Sequence, residues 1–211
     1  MKIVDLSHEI QYNMTVYSDD ERPIFNDISK IKISGYNEKS INICSHTGTH
    51  IDSPYHMIEK GKSLYEIDVE NFLGNAFIVD ISDNKGDIIT LDKLECYKKE
   101  IEKIDFLIIK TGWEKYWNKE EYLSNFPILS EEAAKWLAKL EIKGIGVDTI
   151  SVDSTNSTDF PIHMILFKEG KLIIENLTNL EKVPNKFMFI ATPLNFKKAD
   201  GCPVRAIGLV E

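Results

Sequence analysis

The sequence predicts an α/β or α+β protein with a mixed sheet. Segments typical of strands outnumber those typical of helices, and the two kinds alternate only in part along the chain. Hydrophobic residues make up 43% of the 211 residues, which is enough for a sizeable core. Because neither a repeat nor a Pro/Gly/Ser-rich linker divides the chain, we expect residues 1–211 to form one domain.

The expected strands are of two kinds. Residues 31–34 and 40–44 alternate apolar and polar side chains, the period of a half-buried strand. The remaining candidates are short apolar runs, and those at 106–109 and 144–147 are typical of strands buried on both faces. These runs are residues 76–81, 106–109, 144–147, 187–191 and 206–210.

Three segments favour helices. Ser130 is a good N-cap for a helix over residues 130–140, whose first turn carries acidic side chains. Residues 90–103 place their apolar side chains at helical spacing. A third helix is expected over residues 158–167, with Pro161 near its first turn.

Charge and cysteine content exclude several functions. The formal net charge is −9 and no basic stripe is visible, so we expect neither nucleic-acid binding nor attachment to an anionic membrane. No apolar run approaches the roughly 18 residues of a membrane span. The start, MKIVDLSHEI, has no signal-peptide core. Because the three cysteines form no CxxC pair, reduced thiols in the cytoplasm fit best.

The segment that carries chemistry has the pattern H-x3-H-x-D-x3-H. It contains His46, His50, Asp52 and His56, so three of the five histidines lie within eleven residues. Imidazole nitrogen and carboxylate oxygen are the ligands that bind zinc or manganese in catalytic sites. An isolated histidine is usually only a polar surface residue, but this density of ligand types predicts a metal site.

The shape of this segment also matters. Gly48 and Pro54 argue against a regular helix and favour a strand end that passes into a fixed turn. A second patch contains His163, followed twelve residues later by Glu175. Spacing alone makes these two residues weak candidates for further ligands.

The string HTGTHIDSPYH, residues 46–56, resembles the HxGTHxDxPxH signature of the cyclase-like metal hydrolases. This family includes bacterial kynurenine formamidases (arylformamidases) and isatin hydrolases. Further segments resemble the family in the same order along the chain. They are VDLSH at 4–8, KTGW at 110–113, GVDTISVD at 146–153 and DGCPVRA at 200–206.

The resemblance implies a swivelling β/β/α fold, a homo-oligomer (dimer or tetramer), and a metal centre that is binuclear in the formamidases. Carried onto matching positions, the implied metal ligands are His46, His50, Asp52, His163 and Glu175. Asp52 would bridge two ions, His163 would bind the second, and Glu175 would lie between them. His56 matches the family's acid/base histidine.

The chain departs from the family near the N-terminus. Many members carry P-x-[WY]-P-G-D, whose aromatic residue shapes the substrate pocket, whereas residues 15–20 here read TVYSDD. Tyr17 keeps an aromatic ring for substrate binding, but the Pro-Gly pair is replaced, which leaves the substrate open. The aromatic stretch at 113–126 is expected to pack on the sheet, with a lid or subunit contact as the alternative.

The predicted enzyme is a metal-dependent hydrolase of an amide-like C–N bond, with N-formylkynurenine, a small molecule of tryptophan catabolism, as the lead substrate. One or two zinc ions, or manganese, would lower the pKa of water from 15.7 to about 7 and supply hydroxide. His56 would move the proton to the leaving nitrogen. The alternatives are hydrolysis of a cyclic amide such as isatin, and non-enzymatic metal or ligand binding. A serine hydrolase would need a GxSxG elbow, which is absent.

Several polar residues have open roles. His8 is expected to be structural or to support a metal ligand. Asp148 and Asp153 either orient ligand histidines or cap the loop after a strand. Arg205 is expected to pair with a carboxylate in the core or at a subunit interface. Cys44 is expected to be a small buried apolar residue.

Overall fold

The computed structural model describes residues 1–83 and 88–210. The strands are β1 (Lys2–Asp5), β2 (Ile24–Ser29), β3 (Glu38–Asn42), β4 (His50–Asp52), β5 (Leu73–Asp80), β6 (Ile88–Ile89), β7 (Phe106–Lys110), β8 (Ile128–Leu129), β9 (Gly144–Val147), β10 (Leu172–Glu175), β11 (Lys186–Ile190), β12 (Gly201–Pro203) and β13 (Ile207–Val210). The α-helices are α1 (Ile31–Ser34), α2 (Leu91–Glu95), α3 (Lys98–Ile101), α4 (Glu131–Ala138) and α5 (Pro161–Lys168). Short 3-10 helices are Asp19–Glu21, Pro54–His56, Leu64–Glu66, Val69–Phe72, Trp113–Tyr116, Glu120–Leu123 and Leu180–Lys182.

Nine of the strands in the described residues form one mixed sheet, in the order β1-β13-β11-β5-β7-β9-β10-β4-β12. The central strands β5, β7, β9 and β10 are parallel. The strands that flank them on both sides are antiparallel. The predicted α/β class with a mixed sheet is therefore confirmed.

The core lies on both faces of this sheet, because successive side chains of a strand point to opposite faces. On β7, Phe106 and Ile108 join one apolar cluster, whereas Leu107 and Ile109 join the other. The second cluster also receives the apolar faces of α2, α3, α4 and α5. This double burial explains why the short apolar runs at 106–109 and 144–147 predicted central strands.

The prediction of a strand at residues 31–34 is wrong, because these residues form α1. The alternation of apolar and polar residues here does not mark a buried face, since Ile31 is 60% and Ile33 is 85% exposed. The Asn37 side chain accepts a hydrogen bond from the Ile31 amide, and Gly35 ends the turn with a φ of 82°. The strand expected at 40–44 exists as β3, but all of its residues are exposed.

The expected helix over residues 90–103 is divided into α2 and α3. Tyr97 leaves the helical conformation between them, and its ring packs 5.7 Å from that of Phe77. The other two predicted helices are confirmed with shorter bounds. The Ser130 side chain caps α4 by accepting from the Ala133 amide, and Pro161 begins α5.

The histidine-rich segment enters the sheet as β4, between β10 and β12. Gly48, in the turn before β4, has a φ of 65°, a conformation that glycine adopts without strain. After β4, Pro54 opens a 3-10 turn. Cys44 is exposed, which corrects the expectation that it is buried. No helix in residues 1–83 and 88–210 is long and apolar enough to cross a bilayer.

Candidate metal centre

The sheet brings three separate parts of the chain to one place. β4 pairs antiparallel with β10, and this register sets Glu175 opposite His50. The helix α5 follows the loop after β9 and carries His163. All five predicted metal ligands therefore meet in two overlapping groups. One group comprises His46, His50 and Asp52, and the other comprises Asp52, His163 and Glu175.

The donor atoms of these groups lie close together. Asp52 Oδ1 is 2.7 Å from His46 Nδ1 and 3.3 Å from His50 Nε2. Glu175 is 3.4 Å from His50 Nε2 through one oxygen and 3.4 Å from His163 Nε2 through the other. Glu175 thus contacts histidines of both groups, and Asp52 belongs to both groups.

In His50 and His163, a hydrogen bond at Nδ1 leaves Nε2 as the nitrogen that faces the ligand groups. His50 Nδ1 lies 2.8 Å from the Gly48 carbonyl oxygen, which can only accept, so Nδ1 carries the proton. His163 Nδ1 lies 2.7 Å from Asp153 Oδ2 and donates in the same way. Both Nε2 atoms then point lone pairs towards carboxylates, an arrangement that is repulsive unless a cation lies between them.

The donor set fits a divalent metal ion. His50 Nε2 and Asp52 Oδ1 are buried and have no hydrogen-bond partner among the described residues. Tetrahedral zinc with bonds near 2.0–2.1 Å places its ligand atoms about 3.3 Å apart. His50 Nε2 and Asp52 Oδ1 are 3.3 Å apart, and His163 Nε2 and Glu175 Oε1 are 3.4 Å apart, whereas His46 Nδ1 lies closer to Asp52 Oδ1, at 2.7 Å. In the described part of the chain, Asp52 and Glu175 form ion pairs with histidines and with no lysine or arginine.

The pKa shifts of the site residues show that its carboxylates attract positive charge. Burial would lower the pKa of His46, but Asp52 and Asp200 raise it to about 11. Burial would also lower the pKa of His163, but Asp153 and Glu175 raise it to about 9. Conversely, burial would raise the pKa of Asp52, yet the neighbouring imidazoles hold it below its usual range. The centre therefore binds positive charge, either as protons or as metal ions.

Asp153 combines the two roles that the sequence left open. Its carboxylate accepts from the backbone amides of Ile162 and His163, which caps α5, and also from the His163 ring. Asp148 instead accepts from the backbone amides of Thr111, Gly112 and Trp113. It thereby anchors the turn after β7.

His56 lies beside the first group of ligands. Its ring centroid is 4.0 Å from that of His46, and its Nδ1 is 3.4 Å from Asp200 Oδ2. Asp200 also lies 2.9 Å from His46 Nε2. The sequence interpretation did not single out Asp200. The available signal was its place directly before Gly201 in the segment DGCPVRA.

Tyr17 is 47% exposed, and its hydroxyl lies 3.4 Å from the carbonyl oxygen of Thr155. Burial raises the pKa of this tyrosine, and the charges of Glu175 and Glu21 raise it further. One of the predicted metal ligands, Glu175, thus acts electrostatically on the Tyr17 hydroxyl. Its expected contact with substrate stays a prediction.

His8 and Arg205 lie outside the ligand groups. The His8 ring stacks on Trp117 with centroids 3.9 Å apart, and burial lowers its pKa to about 4. Trp117 in turn packs against Tyr122, which is buried, so this part of the aromatic stretch packs as expected. Arg205 pairs with Asp5 at the surface, so its partner is a carboxylate outside the core, and the alternative of a subunit interface stays a prediction.

Comparison with known proteins agrees with this geometry. The family model described as "Putative cyclase" matches residues 4–154. Kynurenine formamidase of Bacillus cereus is 31% identical over 206 residues, which are 97% of this chain and 95% of that protein.

Two solved structures are also similar. Isatin hydrolase A from Labrenzia aggregata is 27% identical, with a TM-score of 0.87 over 99% of this chain and 93% of that chain. A protein described as "predicted metal-dependent hydrolase" from Bacillus stearothermophilus is 29% identical. Its TM-score is 0.81, and the match covers 98% of this chain and 97% of that chain.

Proposed function

This chain belongs to the cyclase family, and from that premise we propose that it is a metal-dependent hydrolase of an amide-like C–N bond. The observation that carries the proposal is the pair of buried atoms without hydrogen-bond partners, His50 Nε2 and Asp52 Oδ1, inside a centre rich in carboxylates. N-formylkynurenine is the lead substrate, since kynurenine formamidase of Bacillus cereus aligns over nearly the whole chain.

We propose zinc as the resident metal, with manganese as the alternative, because imidazole and carboxylate ligands suit both ions. Asp52 belongs to both ligand groups, which supports two ions per chain. His46 and His50 would hold one ion with Asp52, and His163 and Glu175 would hold the other. A divalent ion bound there supplies an acidic water and polarises a carbonyl.

The protein groups around the centre have separable tasks. His56 Nε2 takes the proton that water loses as its oxygen bonds to the carbonyl carbon. His56 then delivers that proton to the nitrogen as the C–N bond breaks. With N-formylkynurenine the products are formate and the free aromatic amine. Asp153 holds the His163 ring in the orientation described above, and the aromatic ring of Tyr17 would contact the substrate.

A cyclic amide such as isatin is the second candidate substrate. The similarity to isatin hydrolase A supports it. The TVYSDD sequence around Tyr17 also differs from the P-x-[WY]-P-G-D pattern of many family members. Both substrates present an aromatic ring beside the bond that is cleaved, so the metal centre alone does not distinguish them.

We further propose that the protein is a homodimer. Residues 24–42, which comprise β2, α1 and β3 and are called the arm here, form a separate hairpin. Every residue of the arm is exposed or half-buried. Its large exposed apolar side chains are those of Ile24, Ile28, Ile31, Ile33, Tyr36 and Ile41. A second copy of the chain would cover them. The free thiols of Cys44, Cys96 and Cys202 support a cytoplasmic location.

The test is the initial rate of N-formylkynurenine hydrolysis by protein loaded with zinc or manganese, against a chelator-stripped control. Turnover that disappears on stripping and returns with metal is the expected result. Isatin hydrolysis in place of formamide hydrolysis would transfer the assignment to the second substrate. Metal binding without turnover across a panel of amides and lactams would favour a non-enzymatic binding protein and overturn the proposal.

A further inference from the structure

One carboxylate oxygen joins a proposed metal ligand to the proposed acid/base. Oδ2 of Asp200 lies 2.9 Å from His46 Nε2 and 3.4 Å from His56 Nδ1. We propose that Asp200 is a positioning residue that sets the orientation and the tautomer of both rings. This inference rests on the proposed function, in which His46 binds metal and His56 transfers the proton.

The backbone holds Asp200 in place for this role. Its carbonyl oxygen accepts from both the amide and the hydroxyl of Ser53, each at 2.9 Å. The next residue, Gly201, begins β12 and pairs with Asp52 on β4. These contacts hold the Asp200 backbone beside the end of β4, the strand that carries His50 and Asp52.

Gly201 allows this close approach. A Cβ at this position would lie 2.6 Å from His46 Cε1 and 3.0 Å from His46 Nε2. Contacts this short force atoms to move, so only glycine lets the β12 backbone lie against the His46 ring. Asp200 and Gly201 thus hold one edge of that ring, while Asp52 faces its other nitrogen.

The consequence for His46 is a defined tautomer. When Nε2–H donates to Asp200, Nδ1 is the nitrogen left to bind metal, and it lies 2.7 Å from the proposed ligand atom Asp52 Oδ1. This matches the arrangement at His163, where Asp153 holds the far nitrogen. A carboxylate behind a metal-binding imidazole orients the ring and strengthens it as a ligand.

The consequence for His56 is that its Nε2 atom is left free for proton transfer. His56 Nδ1 lies 3.4 Å from Asp200 Oδ2, a contact that becomes a hydrogen bond when the ring turns so that Nδ1–H points at this oxygen. Nε2 is then the nitrogen that is free to take a proton from water and return it to the leaving group. Without Asp200, the proton would distribute between the two nitrogens, and the ring would rotate more freely.

The test compares Asp200→Asn and Asp200→Ala with the matched control Asp159→Asn. Asp159 is an exposed carboxylate in the loop before α5 that accepts from the Ser157 hydroxyl. The first readout is metal content at saturation. The second is the ring ¹⁵N spectrum of the zinc-loaded protein, in which loss of signals in His56→Gln assigns His56. The third is kcat and KM for N-formylkynurenine.

We expect both Asp200 variants to keep the wild-type metal content. Their His56 ring signals should shift from the Nδ1–H tautomer to a mixture, and kcat should fall by about 10- to 100-fold with little change in KM. Asp200→Glu should recover part of the loss, and Asp159→Asn should match wild type. Unchanged ring signals in folded Asp200→Asn would overturn the inference, and so would loss of one bound ion, because Asp200 would then be a ligand.

This design separates failure of the inference from failure of the proposed function. The ring spectra and the metal content require no substrate. If wild-type protein fails to hydrolyse N-formylkynurenine but its His56 tautomer depends on Asp200, the positioning role stands and only the substrate assignment fails. If wild-type protein is active and the tautomer is independent of Asp200, only the positioning role fails.

Discussion

Asp153 Oδ2 lies 2.7 Å from His163 Nδ1 and 2.9 Å from the backbone amide of the same residue. One carboxylate therefore fixes both the start of α5 and the ring of the histidine in its first turn. Because the backbone and the side chain of His163 share an anchor, the ring has little freedom to turn away from Glu175. The position of His163 in the second ligand group therefore depends on this contact.

The first prediction follows from this contact. Asp153→Asn keeps the shape of the side chain but replaces Oδ2, which accepts two hydrogen bonds from His163, with an NH₂ group that can only donate. We expect affinity for the second metal ion to fall by about 10- to 100-fold, while the first ion stays bound. Titration with a competing chelator measures this. Equal affinities in Asp153→Asn and wild type would contradict it, and Asp159→Asn is the control for loss of a charge.

Asp52 and His56 should separate metal binding from catalysis. Asp52 belongs to both ligand groups, so Asp52→Ala should lose metal and activity together. His56→Ala should keep its metal and slow turnover by about 10²- to 10⁴-fold, the range for an acid/base group. Metal analysis and kcat on the same preparations measure both effects. An empty centre in His56→Ala would show that His56 is a ligand instead.

The sequence predicted those parts of the molecule where one short segment carries the whole signal. Leu107 and Ile108 lie in an unbroken apolar run because each face of β7 is buried. His46, His50 and Asp52 lie within seven residues, so their density alone indicated a metal site. His163 and Glu175 could be predicted as ligands only from the resemblance to the family. Their spacing in the sequence does not indicate a metal site, because α5 and β10 bring the two side chains together.

The parts that the sequence did not predict depend on tertiary structure. Asp200 reaches the centre only because β12 pairs with β4, and one aspartate in a loop has no periodic signature. The alternation at residues 31–34 was misleading because period 2 identifies a strand only when one face is buried. The long helix expected at 90–103 failed at Tyr97, whose ring contacts Phe77 across the core edge.

Gly201 should tolerate no side chain. In Gly201→Ala the new Cβ would lie 2.6 Å from His46 Cε1, so the His46 ring must move from its present position beside Asp52. We expect metal affinity to fall by about 10- to 100-fold, measured by chelator competition. Gly170→Ala is the matched control, because Gly170 has a φ of 72° but open space around it. That variant should lose about 1–2 kcal/mol of stability and keep its metal affinity.

As pH rises, metal-free protein should lose stability while its affinity for metal increases. The folded-state pKa of His163 is raised to about 9 and that of His46 to about 11, against about 6.5 for unfolded histidine. The stability from these protonated rings is fully present below about pH 6.5 and is lost as pH rises through the folded values. Metal needs the unprotonated rings, so its affinity rises over the same window.

Melting temperatures at about pH 6.5 and pH 9.5 test this. Stripped protein should melt lower at the higher pH, and the gain in melting temperature on adding a fixed excess of zinc should be larger there. His163→Gln should reduce the pH dependence of the stripped protein. A stripped protein that gains stability as pH rises through this window would contradict the charge assignment of the centre.

The arm, residues 24–42, supports the last prediction. Isolated two-stranded hairpins are marginally stable in water, and this one exposes isoleucines that a partner would cover. Replacing Ile28 and Ile41 with Glu removes two of them, each worth about 1.5 kcal/mol or more when buried. The dimer dissociation constant should then rise by roughly 100-fold or more. Light scattering after size-exclusion chromatography measures the shift to monomer.

The control is Val69→Glu, which changes an exposed apolar residue outside the arm and should stay dimeric. A monomeric wild-type protein, or a double variant that remains dimeric, would exclude the arm as the interface.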